Sequence, residues 1–258
     1  MFHLDKWYLE VITEQGAVAI VYVARLDWGR IRVRYASTLL STVSEPPRET
    51  ATVRGVRTPR LADGILTWEH AALRVSGRWS RDEPPIQRTL ASGPSGVIQW
   101  TCHMPRARAI VQCGDVAFAG HGYVESLRLT IPPSELPFRT LRWGHHASDR
   151  HSVVWIDWIG RDARRWVWLD GREQPDVMVT DSGLSGLGGG DALQLSDSRD
   201  VLDRRVLAAL GRVVPVLGRH LVGPLADMHE HKILSRSAIV RAGQAADHGW
   251  TLHEVVTW

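Results

Sequence analysis

Residues 7–35, WYLEVITEQGAVAIVYVARLDWGRIRVRY, set the pattern from which the fold is predicted. Residues 7–13 and 17–27 are rich in branched and aromatic side chains, and a polar Glu-Gln-Gly sequence lies between them. In residues 31–35 apolar side chains alternate with arginines, as expected of a strand with one buried face. The stretch therefore predicts three strands joined by short turns.

Short runs of this kind recur as far as residue 131, separated by turn signals such as Ala62-Asp63-Gly64. Regularly spaced short strands are typical of β-sandwiches and barrels. Three prolines then fall within residues 131–137. We place a domain boundary there, which divides the chain into β domains at residues 1–131 and 132–258.

The second half is predicted to contain strands at both of its ends and one helix near the C-terminus. In residues 201–214, Leu202, Val206 and Leu210 lie at helical spacing, and a proline follows. The glycine-rich stretch 181–191 has no Gly-Lys-Ser/Thr ending, so it is not a phosphate-binding loop. We expect it to be a flexible loop.

The composition argues against several classes of protein. The chain has 258 residues, 44% of them hydrophobic and 23% charged, which are ordinary globular values. No apolar run approaches the roughly 20 residues that cross a bilayer. No secretory signal is recognised either, so a cytoplasmic protein is expected. The net charge is +3, but arginines and acids are interleaved without a basic stripe, which argues against nucleic acid as a partner.

Histidine is abundant, so a metal site has to be considered. His229 and His231 would lie on one face of a strand, a spacing that can hold a metal, whereas His145 and His146 would point to opposite faces. No His-Glu-x-x-His sequence is present, and two cysteines alone do not make a zinc site. We therefore expect neither a metal nor another cofactor.

Asp157 is the most informative acidic residue. It is the only charged residue in VVWIDWI (residues 153–159), and both faces of this predicted strand are apolar. A carboxyl group buried there could stay protonated and act as a general acid. Trp155, on the same face, could stabilise a carbocation. The alternative is a structural aspartate that is paired with an arginine or bonded to the backbone.

Two glutamates have similar settings. Glu10 lies in WYLEVI and Glu125 in GHGYVE, and for each a structural role is the alternative to a functional one. The chain also has twelve tryptophans against three phenylalanines. Tryptophans in this number could line a site for a large apolar ligand, or they could fill a β-rich core.

Five segments resemble the carotenoid 1,2-hydratase (hydroxyneurosporene synthase) and lipocalin-like superfamily, which includes natural-product cyclases of the Diels–Alderase type. The segments are WTCHMP (100–105), GHGYVE (120–125), LPFRTLRWG (136–144), WID (155–157) and GWTLHEVVTW (249–258). The resemblance covers about residues 95–258.

This resemblance implies two lipocalin-like β-barrel or β-sandwich domains with an apolar substrate pocket and no redox cofactor. It also implies that Asp157 is the proton donor and that Trp155 is the aromatic residue beside it. The family's His-x-Trp-Gly motif is similar to residues 141–144, where Leu141 replaces the histidine. That departure weighs against the hydratase reaction, and His145 or His146 could substitute from nearby.

The resulting hypothesis is a cofactor-independent cyclase, isomerase or hydratase that folds an apolar polyene, polyketide or isoprenoid. Asp157 is the predicted catalytic residue. The predicted substrate-binding residues are Trp155, Trp143, Trp158, His145, Tyr123 and Glu125. The alternative hypothesis is a non-catalytic carrier of lipids or pigments, because barrels of this kind bind apolar ligands.

Overall fold

The computed structural model describes residues 1–205 and 228–257. The chain divides into two compact units, Met1–Leu136 and Pro137–Trp258, and the division falls within the proline-containing segment 131–137. In the described residues, each unit is built on one antiparallel sheet that curls into a half-barrel. Over the same residues, no helix is both long and apolar enough to span a membrane.

The first sheet has ten strands within the described part of the chain. They are β1 (Phe2–Thr13), β2 (Val18–Trp28), β3 (Ile31–Ser41), β4 (Arg48–Thr52), β5 (Arg60–Ala62), β6 (Ile65–His70), β7 (Val75–Arg81), β8 (Ile86–Gly93), β9 (Gly96–Cys113) and β10 (Val116–Leu129). Their order is β4-β3-β2-β1-β10-β9-β7-β6-β5, and β8 pairs with β9 outside this path. Single turns of 3₁₀-helix lie at Ala71–Leu73 and Pro133–Glu135.

The second sheet has nine strands among the residues described. They are β11 (Thr140–Ala147), β12 (Ser152–Ile159), β13 (Arg164–Leu169), β14 (Arg172–Glu173), β15 (Met178–Thr180), β16 (Gly183–Leu187), β17 (Asp191–Arg205), β18 (His229–Val240) and β19 (Asp247–Thr257). Their order is β14-β13-β12-β11-β19-β18-β17-β16-β15. Strands far apart in sequence, β11 and β19, are therefore neighbours.

The prediction of an all-β protein is confirmed, but the helix predicted at residues 201–214 is wrong at its start. Residues 201–205 are the end of β17, and residues 206–214 lie outside the described residues. The pairing of β17 with β18 runs as far as Arg205 and His229. This tertiary pairing outweighs the helical spacing of the apolar residues, because intrinsic propensity is only a weak preference.

The glycine-rich stretch 181–191 was expected to be a loop, yet it contains strand β16. Gly183 has a φ of +136°, and a Cβ atom there would collide with the backbone carbonyl of Leu193 on β17. The glycine therefore lets two strands approach closely.

Each sheet has one face that carries its hydrophobic core, here called the core face. In the first unit, the core cluster joins Leu9 on β1, Val23 on β2 and Leu66 on β6. β6 is separated from β1 by three strands of the sheet, so the core face lies on the inside of the curl. In the second unit the core face carries Val153 and Trp155 of β12, with Val167 of β13 and other aliphatic residues.

Gly144 gives a direct test of this packing. It lies opposite Trp155, and a Cβ atom at Gly144 would overlap the indole ring. Replacing Gly144 with alanine should lower the free energy of unfolding by about 1–3 kcal/mol, because a packed ring has to move. Urea denaturation measures the change.

Gly93→Ala is the matched control, since nothing lies within 4 Å of a Cβ atom at Gly93. It should leave the midpoint of the urea transition within experimental error of the parent. Equal effects of the two substitutions would contradict the packing argument.

Candidate functional site

Polar and aromatic side chains cross the first sheet on the face opposite to its core. The strand register places Tyr22, Tyr8, Glu125 and Cys102 directly opposite one another, on β2, β1, β10 and β9. Residues opposite one another in neighbouring strands share a face, so these four side chains form one row. Lys6 adds a cation near the row, with its Nζ 4.9 Å from the centroid of the Tyr22 ring.

Glu125 receives two hydrogen bonds on one carboxylate oxygen. The Tyr123 hydroxyl donates to Oε2 at 2.8 Å, and the indole Nε1 of Trp100 donates to the same atom at 2.6 Å. Tyr123 is fully buried and Trp100 is 3% exposed, whereas Glu125 is only half-buried. The donors therefore fix the carboxylate from the protein side and leave it partly accessible.

A second phenol–carboxylate pair adjoins the first. The Tyr8 hydroxyl donates a hydrogen bond to Oε2 of Glu10, and the rings of Tyr8 and Tyr123 meet edge to face with centroids 6.1 Å apart. Glu10 is completely buried, and the phenol supplies the partner that a buried carboxyl group needs. We call Tyr8, Glu10, Tyr123, Glu125 and Trp100 the Tyr–Glu cluster.

Burial raises the pKa values of two tyrosines in this cluster and of the cysteine beside it. It raises the pKa of Tyr123 well above its ordinary value of 10.0, and the nearby Cys102 and Glu125 raise that pKa further. Burial and then the Glu10 carboxylate raise the pKa of Tyr8 in the same way. Burial also raises the pKa of Cys102 well above 9.0. At neutral pH both phenols are therefore hydrogen-bond donors, and Cys102 is a thiol rather than a nucleophilic thiolate.

Asp157 lies in the second unit, on the core face of its sheet. Its carboxylate Oδ1 is 2.9 Å from Nε of Arg165, the residue opposite it on β13. Arg165 also donates from Nη1 to the carbonyl oxygen of Val177 at 2.9 Å. The structure thus contains the arginine pairing that the sequence left open as the alternative to a free acid. Trp155, on the same face, belongs to the aliphatic core.

The other predicted aromatic residues of this unit lie on the opposite face of the sheet, since Trp143 and His145 pair with Ile156 and Val154. The rings of Trp143 and His145 have centroids 5.7 Å apart. Trp158 stacks on Phe138 with centroids 4.5 Å apart. The structure therefore groups Trp143 with His145, and it separates both from Asp157 and Trp155.

Lys232 is a buried cation that the sequence analysis did not include among its site residues. Its side chain has no solvent exposure, and its Nζ is 3.1 Å from Oε1 of Glu230 and in contact with the carboxylate of Glu254. The same Nζ lies 5.8 Å from the ring centroid of Trp143. The signal in the sequence is the rarity of the residue, because Lys232 is one of only two lysines in the chain.

The histidines considered as metal ligands have other partners. His229 and His231 bind Asp203 and Asp200, each at 2.8 Å. His146 bonds to the hydroxyl of Ser237 at 2.8 Å. Across residues 1–205 and 228–257, no three histidine, cysteine or acidic side chains are grouped as a metal site requires.

No protein-family model matches the chain, and no curated protein sequence does so. Solved structures do match it in fold. The AttH-designated protein NE1406 of Nitrosomonas europaea is 13% identical with a TM-score of 0.62, over 98% of this chain and 92% of that one. CghA, solved with Sch210972, is 11% identical with a TM-score of 0.57, over 99% and 88%. Kievitone hydratase of Nectria haematococca is 11% identical with a TM-score of 0.51, over 98% and 88%.

These similarities extend over both units of the chain. They show that it has the two-domain lipocalin-like fold that the sequence resemblance implies. A fold of this kind can carry many functions, so function has to be argued from the side chains.

The environment of Asp157 can be tested through stability. The side chain of Asp157 is only 5% exposed, and in Asp157→Asn the guanidinium group of Arg165 loses its ionic partner. We expect the free energy of unfolding to fall by about 1–3 kcal/mol, since a charged hydrogen bond is lost. Urea denaturation of the purified variant gives the value.

Asp115→Asn is the control, because Asp115 pairs with Arg74 at the surface, where its side chain is 90% exposed. This substitution should leave stability unchanged, as expected for an exposed ion pair. An Asp157→Asn protein as stable as the parent would show that the pair with Arg165 has no structural role.

Proposed function

We propose that this protein is a cofactor-independent enzyme that cyclises, isomerises or hydrates an apolar polyene, polyketide or isoprenoid. One observation carries the proposal: a half-buried carboxylate, Glu125, is held on one oxygen by two neutral donors, Tyr123 and Trp100. Of the proteins with this fold, one is named as a hydratase and another was solved with Sch210972, which supports a small-molecule substrate.

The nature of the two donors determines what Glu125 can do. A phenol and an indole orient the carboxylate without neutralising its charge, so it can still accept a proton. In an isomerisation, Glu125 would take a proton from one carbon of the substrate and return it to another, with no change in composition. The contribution of such a positioned acid–base group is typically 10²–10⁴-fold in rate.

Lys6 would supply electrostatic assistance to the same reaction. Its ammonium group lies over Tyr22, beside the row that contains Glu125, and its side chain is half-buried. A fixed cation stabilises negative charge that develops on a carbonyl oxygen during enolisation or cyclisation. Holding a flexible chain in a reactive shape would accelerate ring closure further.

We place the proton transfer at Glu125 rather than at Asp157. Asp157 is paired with a guanidinium group on the core face, whereas Tyr123 and Trp100, which donate to Glu125, are neutral. The role of Asp157 as an acid stays a prediction from sequence, and the experiment below includes it.

The first experiment combines binding and turnover. The protein is mixed with a panel of polyenes, prenylated phenols and linear polyketide mimics, tryptophan quenching is followed, and the products are analysed by mass spectrometry. We expect saturable quenching and a product of unchanged mass, or a gain of one water. Glu125→Gln should lower kcat by about 10²–10⁴-fold, the range of general acid–base catalysis, with Kd little changed.

Glu69→Gln is the matched control, because Glu69 is an exposed glutamate on β6. It should retain full turnover. If Asp157→Asn abolishes turnover while Glu125→Gln retains it, the acid is Asp157, as the sequence predicts. Binding of reactive substrates without any product would identify a carrier and overturn the enzymatic proposal.

A further inference from the structure

A cavity of about 400 Å³ lies on the core face of the first sheet. It is lined by residues of the strands around β1 and by a segment that follows β4. Because side chains alternate between faces, the side chains of Trp7 and Val23 point away from the Tyr–Glu cluster on the opposite face. A volume of this size is sufficient for a small organic ligand.

One wall of the cavity is apolar and held in place. Val23 and Val56 belong to the hydrophobic core, and Trp7 packs against that core. The indole of Trp7 stacks on His103, with ring centroids 4.6 Å apart and an angle of 11° between the planes. His103 is itself hydrogen-bonded to Ser126 at 2.8 Å. This stack fixes the orientation of the Trp7 ring before any ligand binds.

The stack carries no charge at neutral pH. Burial lowers the pKa of His103 to about 4, and the nearby Arg81 guanidinium lowers it as well. The imidazole of His103 is therefore neutral at pH 7. Lys6 also lines the cavity, but strand alternation directs its side chain to the opposite face, where it lies over Tyr22, so the positive charge on the core face comes from the arginines.

The arginines form a row across the sheet. The register places Arg34, Arg25, Asp5 and Arg128 opposite one another on β3, β2, β1 and β10, and all four line the cavity. Arg25 and Arg34 are neighbours in this row. Like charges directly opposite each other destabilise a sheet, so this arrangement has a cost in the unliganded protein.

The acidic residues nearby do not compensate all three guanidinium groups. Arg25 pairs with Asp27 at 2.7 Å, and Arg128 pairs with Asp5 at 3.2 Å. Arg34 forms no ion pair or hydrogen bond with any residue of the described ranges 1–205 and 228–257. The rim of the cavity therefore has one positive charge in excess, and that charge lies beside an apolar wall.

We propose that this cavity binds an organic monocarboxylate with an apolar tail. The carboxylate would lie between Arg25 and Arg34, where it relieves their repulsion and can form paired hydrogen bonds with a guanidinium group. The tail would lie against Trp7 and Val56. A dianionic phosphate monoester is disfavoured, because Asp5 lies in the same row and repels additional negative charge. This site is separate from the Tyr–Glu cluster and does not depend on the proposed enzymatic function.

Isothermal titration calorimetry with decanoate and decanol tests the proposal. The two probes share a ten-carbon tail and differ in charge. At low ionic strength we expect decanoate to bind saturably and at least tenfold more tightly than decanol. A hydrogen bond to a charged group changes an affinity by about tenfold or more. Arg34→Gln should raise the Kd for decanoate about tenfold and leave decanol unaffected.

Two further variants locate the binding site. Arg78→Gln is the charge-matched control, because Arg78 is an exposed arginine of β7 in the same sheet, and it should bind decanoate like the parent. Trp7→Phe should remove part of the tryptophan quenching that decanoate causes. Since Arg34 is exposed, its replacement should not disturb folding, which the unfolding temperature verifies.

Several outcomes would overturn the proposal. These are no binding of decanoate, equal affinity for decanoate and decanol, or an equal loss of decanoate affinity in Arg34→Gln and Arg78→Gln. Unchanged quenching in Trp7→Phe would place the ligand elsewhere. Tighter binding of decyl phosphate than of decanoate would show a phosphate site rather than a carboxylate site.

Discussion

The pairing of β1 with both of its neighbours is the constraint on which the first unit depends. β1 pairs continuously with β2 and with β10, from Leu4 to Ile12. A shift of one residue would turn Leu9 and Val11 away from the core and place Tyr8 and Glu10 inside it. Only the observed register places Leu9 and Val11 in the hydrophobic core and at the same time sets Tyr8 opposite Glu125. The core and the candidate site are therefore fixed by the same hydrogen-bond ladder.

Charged side chains in the two sheets are held by chemically different partners. Glu125 is held by neutral donors, Asp157 by a guanidinium group, and Lys232 by two carboxylates. A carboxylate with neutral donors keeps its charge and can exchange a proton with a ligand. A carboxylate in an ion pair has its charge balanced and is costly to separate from its partner. This difference, rather than burial alone, distinguishes a candidate catalytic group from a structural one.

Much of this architecture could be predicted from sequence because it depends on local periodicity. The alternation in residues 7–35 predicts three strands, and these are β1, β2 and β3. Partners across the sheet are harder to predict, since Trp100 and Glu125 are 25 residues apart. Arg165 is an intermediate case. It lies on β13, which follows the β12 strand of Asp157 after only four residues, so hairpin register could have identified it as the partner.

The irregular pairing of β9 and β10 explains how the Tyr–Glu cluster forms. The register shifts on both sides of Val124, where β9 contributes extra residues around Pro105. Proline has no N–H to donate to the ladder, so a bulge is the position in a sheet where it is tolerated. Such bulges redirect nearby side chains and are common beside active sites. A regular ladder would pair Glu125 with a different residue of β9, and the bulge is therefore what brings Cys102 opposite Glu125 and sets the position of Trp100 two residues before it.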